Sequence, residues 1–301
     1  MSPATSARRL HRSLLFAPAS RPELMDKAAR STADSLVYDL EDSVAPSAKE
    51  AARSNLTQAL SAGGPLPVYV RVHHFSAGDM QADLQAIAAA AAGPSLAGVV
   101  LPKAQRASDI EELSRRLAVV ERETGRAEVI LQVVPMVEDC LGLRNAYELA
   151  SASPRVAGIV LASAEQGDFM LDLGGRWSPQ SLALSYPRSR LVCEARAAGL
   201  EWVIDGVFMN LKDPEALRRE SLIARELGMV GKMAIHPSQL APIHEVFSPS
   251  QQEVDDARSL VAVYEEARAA GRGAITHNGM MVDEANLKLA RKVLGLAGVT
   301  G

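Results

Sequence analysis

Short apolar runs rich in β-branched residues alternate with longer stretches of helical periodicity along most of the chain. The runs cover residues 13–18 (SLLFAP), 35–41 (SLVYDLE), 67–72 (PVYVRV), 98–103 (GVVLPK), 128–138 (EVILQVVPMVE), 156–163 (VAGIVLAS), 202–208 (WVIDGVF) and 231–237 (GKMAIHP). Helix-like segments follow at 21–33, 48–62, 78–92, 107–124, 140–153, 178–198, 213–228 and 239–246. The runs are nearly all apolar rather than alternating, as expected of strands buried on both faces of a parallel sheet. Gly98 and Gly231 open two of them, which suits a helix C-cap feeding a strand. Eight such units predict an α/β fold, a (β/α)8 TIM barrel over residues 11–247. An open doubly wound sheet is the alternative, but it would tend to carry a G-x-G-x-x-G turn, and none is present.

The pattern changes beyond residue 248. A Ser/Pro start leads into one long amphipathic helix over about 250–270, then a Gly-containing turn and a last helix over 284–295. A barrel does not need this segment, so 248–301 is expected to be a C-terminal helical lid or a swapped arm. Residues 1–10 are expected to be a flexible lead-in.

Composition narrows the functional classes. The 301 residues carry a net charge of −4 and only 4% aromatic residues. Nucleic acid and anionic membrane surfaces are therefore poor partners. No run approaches the roughly 18 apolar residues of a membrane span. Cys140 and Cys193 show no metal-ligand spacing and are expected to be buried, reduced thiols of a cytoplasmic protein.

Barrel enzymes work on the loops leaving the C-terminal ends of the strands. Polar residues gather there: Asp39, Glu41 and Asp42 after the second run, Arg71 and His73-His74 after the third, Lys103 after the fourth, and Glu138-Asp139 after the fifth. Glu165 and Asp168 follow the sixth, Asp205 lies in the seventh, and His236 ends the eighth. Singly, Lys103, Asp205 and His236 read as well as rim charges or barrel ion pairs, and Asp39 as packing at the mouth. Glu138 and Asp168 end neighbouring strands, and two carboxylates without thiolates or paired imidazoles describe a hard-cation site such as Mg²⁺. The competing reading is an acidic rim neutralised by Arg71 and Lys103. Arg12, Lys27 and the turn at 18–22 are candidates to meet phosphates, or equally a cap with surface charges. Met280-Met281 read as packing.

Several ordered motifs carry a family likeness: RSLLFAPASRPELMDKA (12–28), VYDLEDSV (37–44), VYVRV (68–72), VVLPK (99–103) and VPMVEDCLGLRNA (134–146). GDFMLDLG (167–174), RSRLVCEARAAGL (188–200), GKMAIHPSQL (231–240) and NGMMVDEANLKLARKVL (278–294) continue the series. The chain resembles the citrate lyase beta-subunit family, which includes malyl-CoA and citramalyl-CoA lyases. The resemblance implies a Mg²⁺ cofactor, a homotrimer, and a C-terminal lid over a neighbouring subunit's site. It also implies Glu138 and Asp168 as metal ligands and Arg71 against substrate oxygens. Glu41 and Asp42 would stand near the metal waters, Asp283 would transfer a proton from the lid, and Lys103 would match the family's P-K motif. The candidate substrate-binding residues are Arg71, Lys103, Arg12 and Pro135. The substrate so implied is a β-hydroxyacyl-CoA, cleaved to an acyl-CoA and a 2-oxo acid.

The sequence departs from the family pattern at His73, Asp139, the 164–167 segment, Gly206 and Ala285. These changes are expected to surround the substrate. The alternatives are a thioesterase on the same substrate, a CoA-free hydroxy-keto-acid aldolase, and a citrate lyase beta subunit serving an acyl carrier protein.

Overall fold

Leu14, Val37, Tyr69, Val100, Val134, Met136, Val160, Trp202, Ile204 and Met233 pack into one buried cluster to which eight strands each contribute. The computed structural model describes residues 11–90, 93–125, 131–178, 180 and 182–298, so the lead-in expected over 1–10 and the start of the fifth run lie outside it. The strands are β1 (Ser13–Pro18), β2 (Ser35–Asp39), β3 (Val68–Arg71), β4 (Leu96–Leu101), β5 (Gln132–Val137), β6 (Gly158–Leu161), β7 (Trp202–Asp205) and β8 (Gly231–Ala234). They pair in parallel, in chain order, and close on themselves. This is the TIM barrel that the alternation predicted. Gly98 and Gly231 have a different reason from the expected helix cap. A Cβ on either would stand 2.2 Å from a backbone oxygen of the neighbouring segment, so close chain approach excludes a side chain.

The first barrel helices are α1 (Pro22–Ala29), α2 (Lys49–Ala62), α3 (Met80–Ala89) and α4 (Ala107–Glu123). The segment expected as one helix over 140–153 is broken at Asn145 into α5 (Cys140–Arg144) and α6 (Ala146–Ser151). A short α7 (Asp168–Leu173), ended by left-handed Gly174, precedes α8 (Leu182–Ala197). Then come α9 (Pro214–Glu226) and α10 (Leu240–Phe247). Both cysteines are exposed rather than buried. On α8, Leu191 and Ala195 face inward four residues apart, and Cys193 falls on the opposite side.

Alternation along each strand sorts the charges. Ile204 and Met233 point into the barrel, so Asp205 and Lys232 point to the helices. There Asp205 bonds the Arg188 guanidinium at 2.8 and 2.9 Å and the Lys232 ammonium at 2.5 Å. Glu220 of α9 joins both cations at 2.9 Å. All four side chains are buried. Burial pushes the Asp205 carboxyl up, but Arg188 and Lys232 outweigh it and hold it well below the usual carboxylate range.

Contacts divide the chain into two compact units, His11–His244 and the chain from Glu245 onward. The second unit holds α11 (Gln251–Ala269) and α12 (Glu284–Leu296). α11 starts at a capping box in which Ser250 accepts from the Glu253 N–H and the Ser250 N–H donates to Glu253. Val254 and Ala257 pack on Ala290 and Leu294. The expected turn between the helices is a hairpin of β9 (Ile275–His277) and β10 (Met280–Val282). Its corner residues Asn278 and Gly279 both have positive φ, as a two-residue hairpin turn demands. Met280 and Met281, expected to pack, are exposed within this unit. Among the described residues, no helix is long and apolar enough to cross a membrane.

Candidate active site

The inward rows that build the barrel core continue upward into charge. Val37 leads to Asp39 and then Glu41, Tyr69 to Arg71, and Met136 to Glu138. The strand period therefore places these four side chains at one mouth.

Arg71 is gripped from one side. Its Nε and Nη2 donate to the two carboxylate oxygens of Asp39, both at 2.6 Å. Its Nη1 approaches Glu41 at 3.2 Å. Asp39 also accepts from the backbone N–H groups of Glu41 and Ser43 and from the Ser43 hydroxyl. Burial pushes its carboxyl up, but Arg71 and Ser43 more than offset this and hold it ionised. Burial likewise disfavours the Arg71 cation, while Asp39, Glu41 and Glu138 restore it. The guanidinium keeps N–H groups beyond those that Asp39 takes.

Lys103 donates to Glu41 at 2.6 Å and lies 3.6 Å from the exposed Asp42. Its backbone has φ 52, a left-handed conformation that costs a lysine about 1 kcal/mol or more. Burial lowers the Lys103 ammonium, and Glu41, Asp42 and Glu138 outweigh that and raise it.

Glu138 differs from its neighbours. It is 6% exposed. Burial first, then the carboxylates of Glu41 and Asp168, push its carboxyl up to about 8 against the opposing pull of Arg71 and Lys103. Asp168 stands exposed at the first turn of α7. Among the described residues, no three Asp, Glu, His or Cys side chains gather into a set able to hold a metal ion. A cation placed here would have two carboxylate ligands and would take its other oxygens from water or substrate, as Mg²⁺ does readily. Burial is the main reason the Glu138 carboxyl is raised, with Glu41 and Asp168 adding to it, and a divalent cation at this buried oxygen would favour the ionised form, so the two carboxylates fit the group.

Other expected residues fall elsewhere. Arg12 precedes β1 and so lies at the opposite end of the barrel. There it donates to Asp34 through its backbone N–H, Nε and Nη2 at 2.8–2.9 Å. It is a clasp at the stability face, not a phosphate contact at the mouth. Pro135 lies between inward-facing Val134 and Met136, so its ring faces the helices and not the substrate space. Asp283 belongs to the second unit, where it caps α12 by accepting from Ala285 and Asn286. His236 caps a short turn through Ser238. Asp139 caps α5 at Gly142 and accepts from Gln105. His73 turns toward α2 and α3. Thus His73 and Asp139, expected around the substrate, are held by structural partners, His73 by Asp83 and Lys49 and Asp139 by Gly142 and Gln105. What sequence reasoning missed was the part of Asp39: it brackets Arg71 rather than merely packing the mouth. Its place two residues before Glu41, on the same strand face, was the available signal.

Two family models cover the chain. One, described as HpcH/HpaI aldolase/citrate lyase, matches residues 12–237. The chain belongs to this family. The other, a C–C bond lyase of the TIM-barrel fold, matches residues 186–301. An L-malyl-CoA/beta-methylmalyl-CoA lyase of Cereibacter sphaeroides (strain ATCC 17025 / ATH 2.4.3) is 33% identical, covering 95% of this chain and 94% of the relative. A (3S)-malyl-CoA thioesterase of Cereibacter sphaeroides is 35% identical, covering 95% of this chain and 94% of the relative. A crystal structure of CitE from Mycobacterium tuberculosis with magnesium, acetoacetate and coenzyme A superposes with a TM-score of 0.75 at 31% identity, covering 97% of this chain and 99% of that one. The aldolase/citrate lyase family makes this chain a carbon–carbon lyase by membership.

Proposed function

We propose that this lyase cleaves a β-hydroxyacyl-CoA of the malyl-CoA or citramalyl-CoA type, with Mg²⁺ held by Glu138 and Asp168, to an acyl-CoA and a 2-oxo acid. The observation that carries the reading is the buried Glu138 carboxyl, pushed up first by burial and then by Glu41 and Asp168, in a mouth that also holds the bracketed Arg71. The CitE structure with magnesium, acetoacetate and coenzyme A supports the same cofactor and ligand class.

When bound, the cation would polarise the carboxylate and adjacent oxygen of the 2-oxo acid portion. Arg71, fixed by Asp39, presents its remaining N–H groups to the thioester oxygen as negative charge develops there. Glu41 balances Arg71 and Lys103 and keeps both cations facing the mouth. Lys103 supplies a second positive charge for a substrate carboxylate. Asp283 moves the proton to or from the carbon beside the thioester. Asp42 lies at the exposed edge of the mouth and would stand near the water around a bound cation.

Homotrimeric assembly and action in the cytoplasm belong to the same reading. The exposed side chains of Leu171, Leu182 and Tyr186 support an assembly surface, and two free thiols suit a reducing compartment.

Thioester hydrolysis is the second reading, favoured by the thioesterase relative. Product analysis decides. The purified chain with Mg²⁺ and malyl-CoA is expected to release acetyl-CoA and glyoxylate. Malate plus free CoA would instead make it a thioesterase, and no reaction with malyl-CoA or citramalyl-CoA would overturn the substrate class.

A further inference from the structure

Behind Arg71 lies a second charged cluster that the chemistry above does not use. Its centre is His73, 2% exposed, at the end of β3. Asp83 of α3, fully buried, accepts from the His73 backbone N–H at 2.9 Å and meets its Nδ1 at 2.6 Å. Arg53 of α2 holds the other Asp83 oxygen at 2.8 Å and also bonds Asp79 at 2.5 Å. On the far side of the ring, His73 Nε2 faces the Lys49 Nζ in hydrogen-bond contact.

These partners fix the tautomer. A carboxylate only accepts, so Nδ1 carries the proton. An ammonium only donates, so Nε2 must offer its lone pair. The lysine amine is the more basic of the two side-chain types and keeps its proton. The Asp83–His73–Lys49 chain therefore exists only with a neutral imidazole.

Its position gives the chain a consequence. Lys49 is the first residue of α2 and ends the segment that leaves β2. That segment carries Glu41 and Asp42 and is knit together by Asp39, by the Val44 N–H to Glu41 oxygen bond at 3.1 Å, and by the Ala48 N–H to Ala45 oxygen bond at 2.8 Å. His73 stands two residues beyond Arg71. The Lys49–His73 bond thus ties the carrier of Glu41 to the carrier of Arg71.

We propose that His73 is a positioning residue, which sets the Arg71–Glu41 geometry through Lys49 and does so only while its ring is neutral. The charged and titratable groups facing it are Asp83 and Asp79 at α3, Lys49 and Arg53 on α2, and His74 beside it. Protonation would put an imidazolium against the Lys49 ammonium, break that bond and loosen the β2–α2 segment. Because the bond is lost when the ring gains a proton, the effect falls on the acid side of the activity profile.

This inference rests on the lyase reading for the use made of Arg71 and Glu41, and the test separates the two. Lys49→Met, Lys49→Arg and wild type are compared in the full chain with Mg²⁺ and malyl-CoA across pH 5.5–9, with thermal unfolding to confirm folding. Lys49→Met is expected to lose about tenfold in kcat, with KM within about twofold, and to lose one ionisation from the acid limb. Lys49→Arg, which still donates, is expected to restore both. A Lys49→Met enzyme with wild-type kcat, or with reduced kcat and an unchanged acid limb, overturns the proposal. A second arm needs no turnover: side-chain ¹⁵N NMR at pH 8 is expected to show His73 protonated on Nδ1 alone. Protonation on Nε2 overturns the proposal even if the wild type proves inactive on malyl-CoA, a result that by itself would sink only the lyase reading.

Discussion

Arg71 and Asp39 face each other as a two-pronged pair, Nε to Oδ1 and Nη2 to Oδ2, both at 2.6 Å, across adjacent strands of the barrel mouth. A fork bound on two tines cannot swing, so its remaining N–H groups are aimed by the carboxylate behind it. Asp39→Asn keeps the shape, removes one acceptor and replaces it with an N–H donor facing the guanidinium. The expected result is a fall in kcat of about 100-fold, the scale of losing one preorganised donor, with Mg²⁺ affinity changed much less. Steady-state kinetics and a metal titration measure the two effects separately. Equal losses in both would assign Asp39 to the metal.

Glu138 makes Mg²⁺ binding a proton-coupled event. Its carboxyl lies at about 8 without metal, so at pH 7 it is mostly protonated, while a ligating carboxylate must be ionised. Binding then expels a proton, and affinity rises with pH until about 8 and flattens above. Calorimetry at pH 7 in two buffers of different ionisation enthalpy is expected to report close to one proton released. Glu138→Gln should abolish both the release and the metal-dependent activity.

Asp283 allows chemistry to be separated from folding. In this structure it caps α12, and asparagine caps helices about as well as aspartate. Asp283→Asn is therefore expected to leave the melting temperature nearly unchanged while lowering turnover by at least about 100-fold, as loss of a proton-transferring group does. Unchanged turnover would remove Asp283 from the reaction.

The buried cluster of Asp205, Arg188, Lys232 and Glu220 is expected to matter for folding. Asp205→Asn leaves two buried cations sharing one carboxylate, a loss on the order of 3–5 kcal/mol. The folded-state Asp205 carboxyl is held below its unfolded value, so its contribution is fully present above about pH 4 and fades as pH falls through the depressed folded value. Denaturant unfolding of the variant and of wild type, at pH 7 and in acid, checks the size and the sign.

The barrel was legible because its strands are buried on both faces and read as unbroken apolar runs. That same property hid which way their polar residues point. In the sequence Asp205 falls inside an apolar run and Glu138 closes one. Only the phase of the pleat sends one to the helices and the other to the mouth, and a run without alternation carries no phase. Arg12 failed for a different reason: it precedes its strand, and the catalytic rim is built by residues at or beyond the strands' C-terminal ends. The hairpin at 275–282 escaped notice because its strands are three residues each, too short for a period to register. Its Asn278-Gly279 corner was the one cue available.

Charged side chains thus occupy two compartments divided by the strand backbone. Asp39, Arg71 and Glu138 lie inside, and Asp205, Lys232 and Arg188 lie outside. The compartments answer to different pressures. Substitutions at the mouth can retune which acyl group or oxo acid is accepted without disturbing the ion cluster that helps the barrel fold. That separation offers a physical basis for divergence within this family, in which one scaffold is inherited intact while the reaction at its rim is free to drift.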